Sequence, residues 1–185
     1  MLLSGEVIQS SSSFLNSNNN FNIYRMKLYG AISAYKSARI IYEIEGFHTK
    51  GELPYQMMYS LPGNIESAGK SFTFRTLRPT EIFGDNGIIF NMENNFNDEL
   101  FRLFKIPYLK DWQLMLTGYF NAAWLTISEK SEGIIPVSFT EFKKPFYEIG
   151  FGIGHMLFPF SLEFTWKLNH KGKNDFVIGI NSIAL

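Results

Sequence analysis

The sequence predicts an all-β fold: one antiparallel transmembrane β-barrel domain across residues 1–185, with about eight strands present as half of a larger barrel. Three observations carry this: two-residue alternation in the last strands, an aromatic share of 17%, and long connections gathered at one end with tight turns at the other. The alternation is clearest near the end of the chain. Leu162, Phe164, Trp166 and Leu168 fall on one face, and Ser161, Glu163, Thr165, Lys167 and Asn169 on the other. The preceding strand sets Tyr147, Ile149, Phe151 and Ile153 against Glu148, Gly150, Gly152 and Gly154, and the following one sets Phe176, Ile178 and Ile180 against Val177, Gly179 and Asn181. A soluble barrel would turn the apolar face inward; a membrane barrel would turn it to lipid and line its lumen with the charges. Alternation alone does not choose between them.

Composition narrows the choice. The chain holds 19 Phe, 9 Tyr and 3 Trp, a density suited to lipid-facing strands and interfacial girdles. Trp112, Trp124, Trp166, Tyr147 and Phe164 are the expected lipid-side residues. Basic and acidic residues balance at 17 each, so no global field recruits nucleic acid, and none is expected as a partner. Absence of cysteine excludes disulfides, thiolate metal sites and thiol nucleophiles. No apolar run approaches the ~18 residues of a membrane helix, so any crossing is by strands. The start, MLLSGEVIQ, lacks the basic and apolar regions of a secretory signal. An outer-membrane location therefore implies a signal peptide upstream of this stretch.

Taken in order, Leu2–Gln9 reads as a strand and 10–20, SSSSFLNSNNN, as a polar exposed loop. Phe21–Ala34 alternates loosely, and Ala38–Gly46 is a half-buried strand with Glu43 and Glu45 on one side. The region 47–86 is broken by Pro54, Pro62, Gly63, Gly69, Pro79 and Gly84; an irregular stretch of that length reads as a functional loop. Gly87–Phe96 resumes as a strand, Asp98–Phe104 suits a short helical turn, and Pro107 forbids a continuous ladder. Trp112–Ser128 reads as the longest strand, with a Trp near each end, where two bilayer interfaces would place them. A loop over 129–144 leads to the three final strands. Gly150, Gly152 and Gly154 fill every inward position of one strand, which would leave voids in a small soluble core but admits close approach in a larger interior.

Motifs for chemistry are weak. AGKS at 68–71 lacks the earlier glycine of a phosphate loop, because position 64 is Asn64, and no helix follows it. GFGIG at 150–154 has the wrong spacing for a dinucleotide site. His48, His155 and His170 lack ligand spacing, and no serine sits in a nucleophile elbow. Glu148, Glu163 and Lys167 read as mutually compensating charges in a wet lumen. The expectation is a non-enzyme with no cofactor and no metal.

The segments LPYQMMYSLPGN, FTFR, EIFGDNGIIFNMENNF, KIPYLK and the GFGIG strand with the last hairpin resemble the C-terminal half of outer-membrane barrels of the bacterial surface antigen superfamily. The nearest likeness is to a Bacteroidetes-type branch with an N-terminal carboxypeptidase-regulatory-like domain. The resemblance implies assembly or protein translocation in the outer membrane of a Gram-negative cell, with lipid and a client or secreted polypeptide as partners. It also implies a long loop that folds into the lumen and plants an arginine on an inward acid. Arg75 takes that arginine's position, although Thr76 stands where the family has glycine. The family's acidic position falls on Asn121, which accepts a hydrogen bond but forms no ion pair, leaving Glu93 as a substitute partner. Ile183 and Leu185 replace the usual aromatic ending. Two other readings stay open: a passive pore or structural outer-membrane barrel, and a soluble ligand-binding β-barrel.

Overall fold

The computed structural model describes residues 1–11, 20–35, 38–63, 72–106, 111–132, 144–155, 157–170, 172 and 174–182. Eight strands form one antiparallel sheet. They are β1 (Leu2–Ser10), β2 (Phe21–Tyr35), β3 (Ala38–Gly51), β6 (Asn86–Asn97), β7 (Leu114–Thr126), β8 (Phe146–His155), β9 (Phe158–Lys167) and β10 (Phe176–Ser182). Each pairs with its neighbours in that order, and β1 and β10 are left as the two edges. The fold is therefore all-β and open rather than closed upon itself. Two short strands, β4 (Tyr59–Ser60) and β5 (Phe83–Gly84), pair inside the β3–β6 connection. Helix α1 (Glu99–Leu103) precedes β7, and α2 (Glu129–Glu132) follows it.

Alternation sorts the side chains into two faces of opposite character. The described parts of the 52–85 connection, 52–63 and 72–85, lie against one face, where Glu43, Glu45, Asn91, Asn121, Glu148, Glu163, Thr165 and Lys167 are buried. The cross-strand register aligns Glu43, Asn91, Asn121, Glu148 and Lys167 in one polar row across β3, β6, β7, β8 and β9. The opposite face is bare and apolar. Ile88, Trp124, Tyr147, Ile149, Phe151, Ile153, Phe160, Leu162, Trp166, Ile178 and Ile180 are all exposed there, and Phe164 stands half-buried between them. Its ring stacks on Phe151 at 5.1 Å, and Trp166 lies 5.0 Å from Phe176. Water-soluble sheets do the reverse, burying apolar and exposing charged side chains.

The buried apolar residues come from the sheet ends and the connection. One cluster joins Leu61, Phe74, Leu77 and Ile82 to Phe47, Ile89, Ala123, Leu125 and Phe146. A second joins Leu53, Met58 and Phe83 to Phe21 and Ile23. The connection is thus seated like a folded lid on the sheet, and its core is local to that seat.

Several boundaries differ from the sequence reading. β3 runs on to Gly51, so the loop begins at residue 52 and not at 47. Polar inner positions such as Thr49 alternate too weakly with their neighbours to announce a strand. β2, at 15 residues, is longer than β7, at 13. Trp112 precedes β7 in a turn where Gln113 has positive φ (51°), a conformation incompatible with a ladder. The connection 98–113, with α1, joins strand ends opposite the long loops, so that end is not made of tight turns alone. The phosphate-loop-like segment 68–71, Pro107, the stretch 133–143 and the final residues 183–185 lie outside the described residues.

Two glycines make room for cross-strand tyrosines, Gly150 on the covered face and Gly30 on the exposed one. A Cβ at Gly150 would stand 2.4 Å from the Tyr119 ring and 2.5 Å from the Phe164 carbonyl oxygen; at Gly30 it would stand 2.3 Å from the Tyr42 ring. Each glycine lets a cross-strand tyrosine lie flat on the sheet. A Cβ at Gly46 would meet nothing within 4 Å. Gly150→Ala should therefore cost about 1–3 kcal/mol through overpacking, whereas Gly46→Ala should be neutral or gain up to about 1 kcal/mol. Denaturant midpoints of the two variants check the contrast.

Candidate functional site

Arg75 is the centre of the charged face. It sits in a turn of the connection, positioned by a short bridge between Gly63 and Phe74 and by the Phe74 N–H, which donates to the Pro62 carbonyl at 2.8 Å. Phe74 anchors the turn in the apolar cluster, edge-on to Phe146 at 5.7 Å. This holds the next side chain over the sheet. Arg75 Nε donates to Glu163 Oε2 at 2.6 Å, Nη2 donates to Glu163 Oε1 at 3.3 Å and to Glu93 Oε1 at 3.0 Å, and Nη1 donates to the Thr73 carbonyl at 3.1 Å. Its guanidinium stacks 3.7 Å above the centre of the Tyr119 ring, the ring that Gly150 allows to lie flat. The Tyr119 hydroxyl is bonded in turn to Thr165 at 2.5 Å.

An arginine buried to 5% exposure needs such partners, because an unpaired buried charge is strongly unfavourable. Burial by itself pulls the Arg75 guanidinium down; the hydrogen bond and charge of Glu163, with the charge of Glu93, outweigh it and hold the group above its ordinary value. Arg75 is therefore a permanent cation between two carboxylates.

A second carboxylate site grips the same turn by its backbone. Glu148, wholly buried, accepts the Arg75 N–H at 2.9 Å, the Thr76 N–H at 3.1 Å and the Thr76 hydroxyl at 2.7 Å. It also accepts Asn121 Nδ2 at 2.8 Å, and Asn121 donates as well to the Thr73 carbonyl at 3.0 Å. Backbone N–H donors converging on a carboxylate are charge-assisted and strong for their size.

Of the residues the sequence singled out, Arg75 meets Glu93, and Asn121 contacts the loop through the Thr73 carbonyl. The strong ion pair, for which Asn121 left no partner, comes instead from Glu163. Glu148, Gly150, Gly152, Gly154, Glu163 and Lys167 all lie on the covered face. Lys167 stands opposite Glu148 in register and 5.7 Å from the Phe146 ring centre. Trp124, Trp166 and Tyr147 are exposed on the other side, and Trp112 is exposed in the turn before β7.

Sequence reasoning missed a second foot of the loop. Tyr59 donates its hydroxyl to Glu45 at 3.0 Å, and the Arg25 guanidinium lies 5.4 Å from its ring centre. Arg25 pairs with Glu6 at 3.0 Å and Glu45 at 3.4 Å, and Lys27 with Glu43 at 2.8 Å. Burial, reinforced by the Glu45 carboxylate, pushes the Tyr59 hydroxyl well above its usual value. Beside this foot lies a cavity of about 540 Å³ lined by Ser4, Glu6, Arg25, Lys27, Glu45 and Tyr59. The signal for it was the inward pair Glu43 and Glu45. What the sequence could not show is which loop residue reaches them. Among the described residues no three His, Asp or Glu side chains gather in a metal-binding group.

Arg75→Ala leaves the buried Glu163 and the half-buried Glu93 without their cation, a change worth about 3–5 kcal/mol. Hydrogen exchange of the 72–77 amides should accelerate by at least about two orders of magnitude if that cost falls on local opening. Glu148→Gln keeps the shape but removes the charge from hydrogen bonds worth about 1.5–3 kcal/mol each, so it should accelerate exchange at Arg75 and Thr76 while Arg75 keeps its two carboxylates. No family model matches the chain, and no curated protein matches it closely enough to serve as a relative.

Proposed function

We infer that this chain is part of the wall of an outer-membrane β-barrel of the assembly or translocation type, non-catalytic, with residues 52–85 as a plug folded toward the lumen. One observation carries the reading: the sheet exposes its apolar face and buries its charges. In hydrocarbon that arrangement is the stable one, since Ile149, Phe151, Leu162 and Trp166 meet lipid, and Glu148, Glu163 and Lys167 are kept from it. A wet interior also suits the amide oxygens of Asn91, Asn121 and Asn181, which are buried without hydrogen-bond partners among the described residues. The soluble ligand-binding reading requires the opposite polarity.

The translocation class comes from the resemblance to the surface antigen superfamily, with its inward loop and planted arginine. Arg75 on Glu163 and Glu93 supports that part of the likeness. A locked plug fits a barrel that works by moving a loop and parting strands, and it has no use in a permanently open pore. The lipid of the outer membrane and a client or secreted polypeptide are the partners on this reading. The passive-pore reading is favoured by the polar cavity beside Arg25 and Lys27, which the loop leaves unfilled.

Reconstituted into liposomes, Trp112, Trp124 and Trp166 should be quenched by brominated acyl chains, and quenching by aqueous iodide should be weak. Ile149→Arg, on the exposed apolar face, should cost about 2–4 kcal/mol if the residue lies near the bilayer midplane, read as lost membrane incorporation. In planar bilayers the intact protein should be closed or conduct in brief events, and Arg75→Ala should open it. A large, steady conductance from the intact protein would instead identify a passive pore. A folded monomer without detergent, with no quenching by brominated lipid, would remove both membrane readings.

A further inference from the structure

The apolar face is not uniformly flat. Where β8 meets β9 the register shifts: Gly154 pairs with Ser161 but His155 pairs with Phe158, so β9 carries two extra residues at that point. A bulge of this kind bends its strand and re-aims the side chains around it. Beside it lies a groove of about 420 Å³, walled by Leu114 of β7, Ile153 of β8, Phe158, Phe160 and Leu162 of β9 and Ile180 of β10. The cross-strand register puts Leu114, Ile153, Leu162 and Ile180 on the bare side of the sheet, so the groove opens there and not under the connection. Its volume falls in the range of about 300–1,000 Å³ typical of small-molecule sites.

One polar side-chain group stands at its end. His155 lines the groove where β8 turns into β9, at the sheet end opposite the long loops. Its Nδ1 accepts the Leu157 N–H at 3.1 Å, and its ring packs on Phe158 at 5.4 Å. An imidazole whose Nδ1 accepts carries its hydrogen on Nε2. Among the described residues that Nε2–H has no acceptor. The turn thus fixes one N–H donor at an otherwise apolar groove, and no charged side chain lines it.

On the membrane reading, on which this inference rests, the groove stands in hydrocarbon and is filled by a lipid chain. Trp112, exposed two residues before Leu114, the register partner of His155, places this end near the interface, where such side chains gather. Leaving the hydrocarbon, an acyl chain reaches its first polar atom at its own ester, whose carbonyl oxygen is an uncharged acceptor. A neutral N–H with no lysine or arginine beside it suits that oxygen, whereas phosphate is held by cations. We propose that the groove is a resident phospholipid site, in which one acyl chain lies between Leu114, Ile153, Phe160, Leu162 and Ile180 and its ester carbonyl oxygen accepts the His155 Nε2–H.

Native mass spectrometry of the full chain in detergent micelles tests this, with titration by dioleoyl phosphatidylethanolamine and by its diether analogue, which lacks both ester carbonyls. The expected result is one tightly retained lipid per chain, with the diester bound about 2- to 10-fold more tightly than the diether, the worth of one hydrogen bond. His155→Leu should bind the two lipids alike. Leu162→Trp, which fills the groove, should lose the retained lipid, and Ile88→Trp, on the same face outside the groove, should keep it. Equal affinity of the unaltered chain for diester and diether would overturn the proposal, as would equal retention by Leu162→Trp and Ile88→Trp, the mark of a general lipid coat. The membrane reading fails separately, through a folded monomer without detergent. A chain that is quenched by brominated lipid in liposomes yet retains no phospholipid overturns this inference alone.

Discussion

Everything on the covered face depends on one arrangement: a buried cation, Arg75, held between Glu163 and Glu93 and stacked on Tyr119. A sheet face carrying Glu43, Glu45, Glu93, Glu148 and Glu163 cannot be covered by an ordinary apolar segment, because each carboxylate would lose its water without compensation. The loop answers this by bringing donors. Arg75 supplies the charge, the N–H groups of Arg75 and Thr76 supply backbone donors, and Tyr59 supplies a hydroxyl near the other side of the sheet. Apolar packing of Phe74 and Leu77 then seats the loop in one place.

This division of labour links local chemistry to the whole sheet. Glu93, Glu148 and Glu163 come from three different strands, so one turn of the loop ties β6, β8 and β9 together. Glu163 also accepts Asn181 Nδ2 at 2.7 Å, which extends the network to the edge strand β10. A change in the loop is therefore felt at the edge through a chain of direct hydrogen bonds. The Thr76 hydroxyl belongs to the same arrangement, because it gives Glu148 a further donor. The acids of this lock, Glu93 and Glu163, stand on β6 and β9, on either side of Asn121 on β7 and Glu148 on β8.

The bare face has the opposite logic. Its side chains pack laterally, ring on ring from Phe120 to Tyr147 and from Phe151 through Phe164 to Phe176, with no second layer above them among the described residues. In water such a surface would aggregate.

Much of this was legible in the residues themselves. Period-two alternation fixes which side chains share a face, because successive strand residues point to opposite sides; that is why Glu148, Glu163 and Lys167 could be assigned together, and Phe164 with Trp166. Proline and glycine spacing marked the long loop, and it was the resemblance that singled out Arg75 within it. Alternation is blind to position across the sheet, however, and so could not tell whether Arg75 would meet Asn121 on β7 or Glu163 on β9. That depended on where the Phe74 anchor settled among Ile89, Ala123 and Phe146, a packing decision between residues far apart in sequence. The extension of β3 to Gly51, the second foot at Tyr59 and the unpaired edges at β1 and β10 were likewise decided by tertiary structure, since hydrogen bonding between distant strands has no local signature.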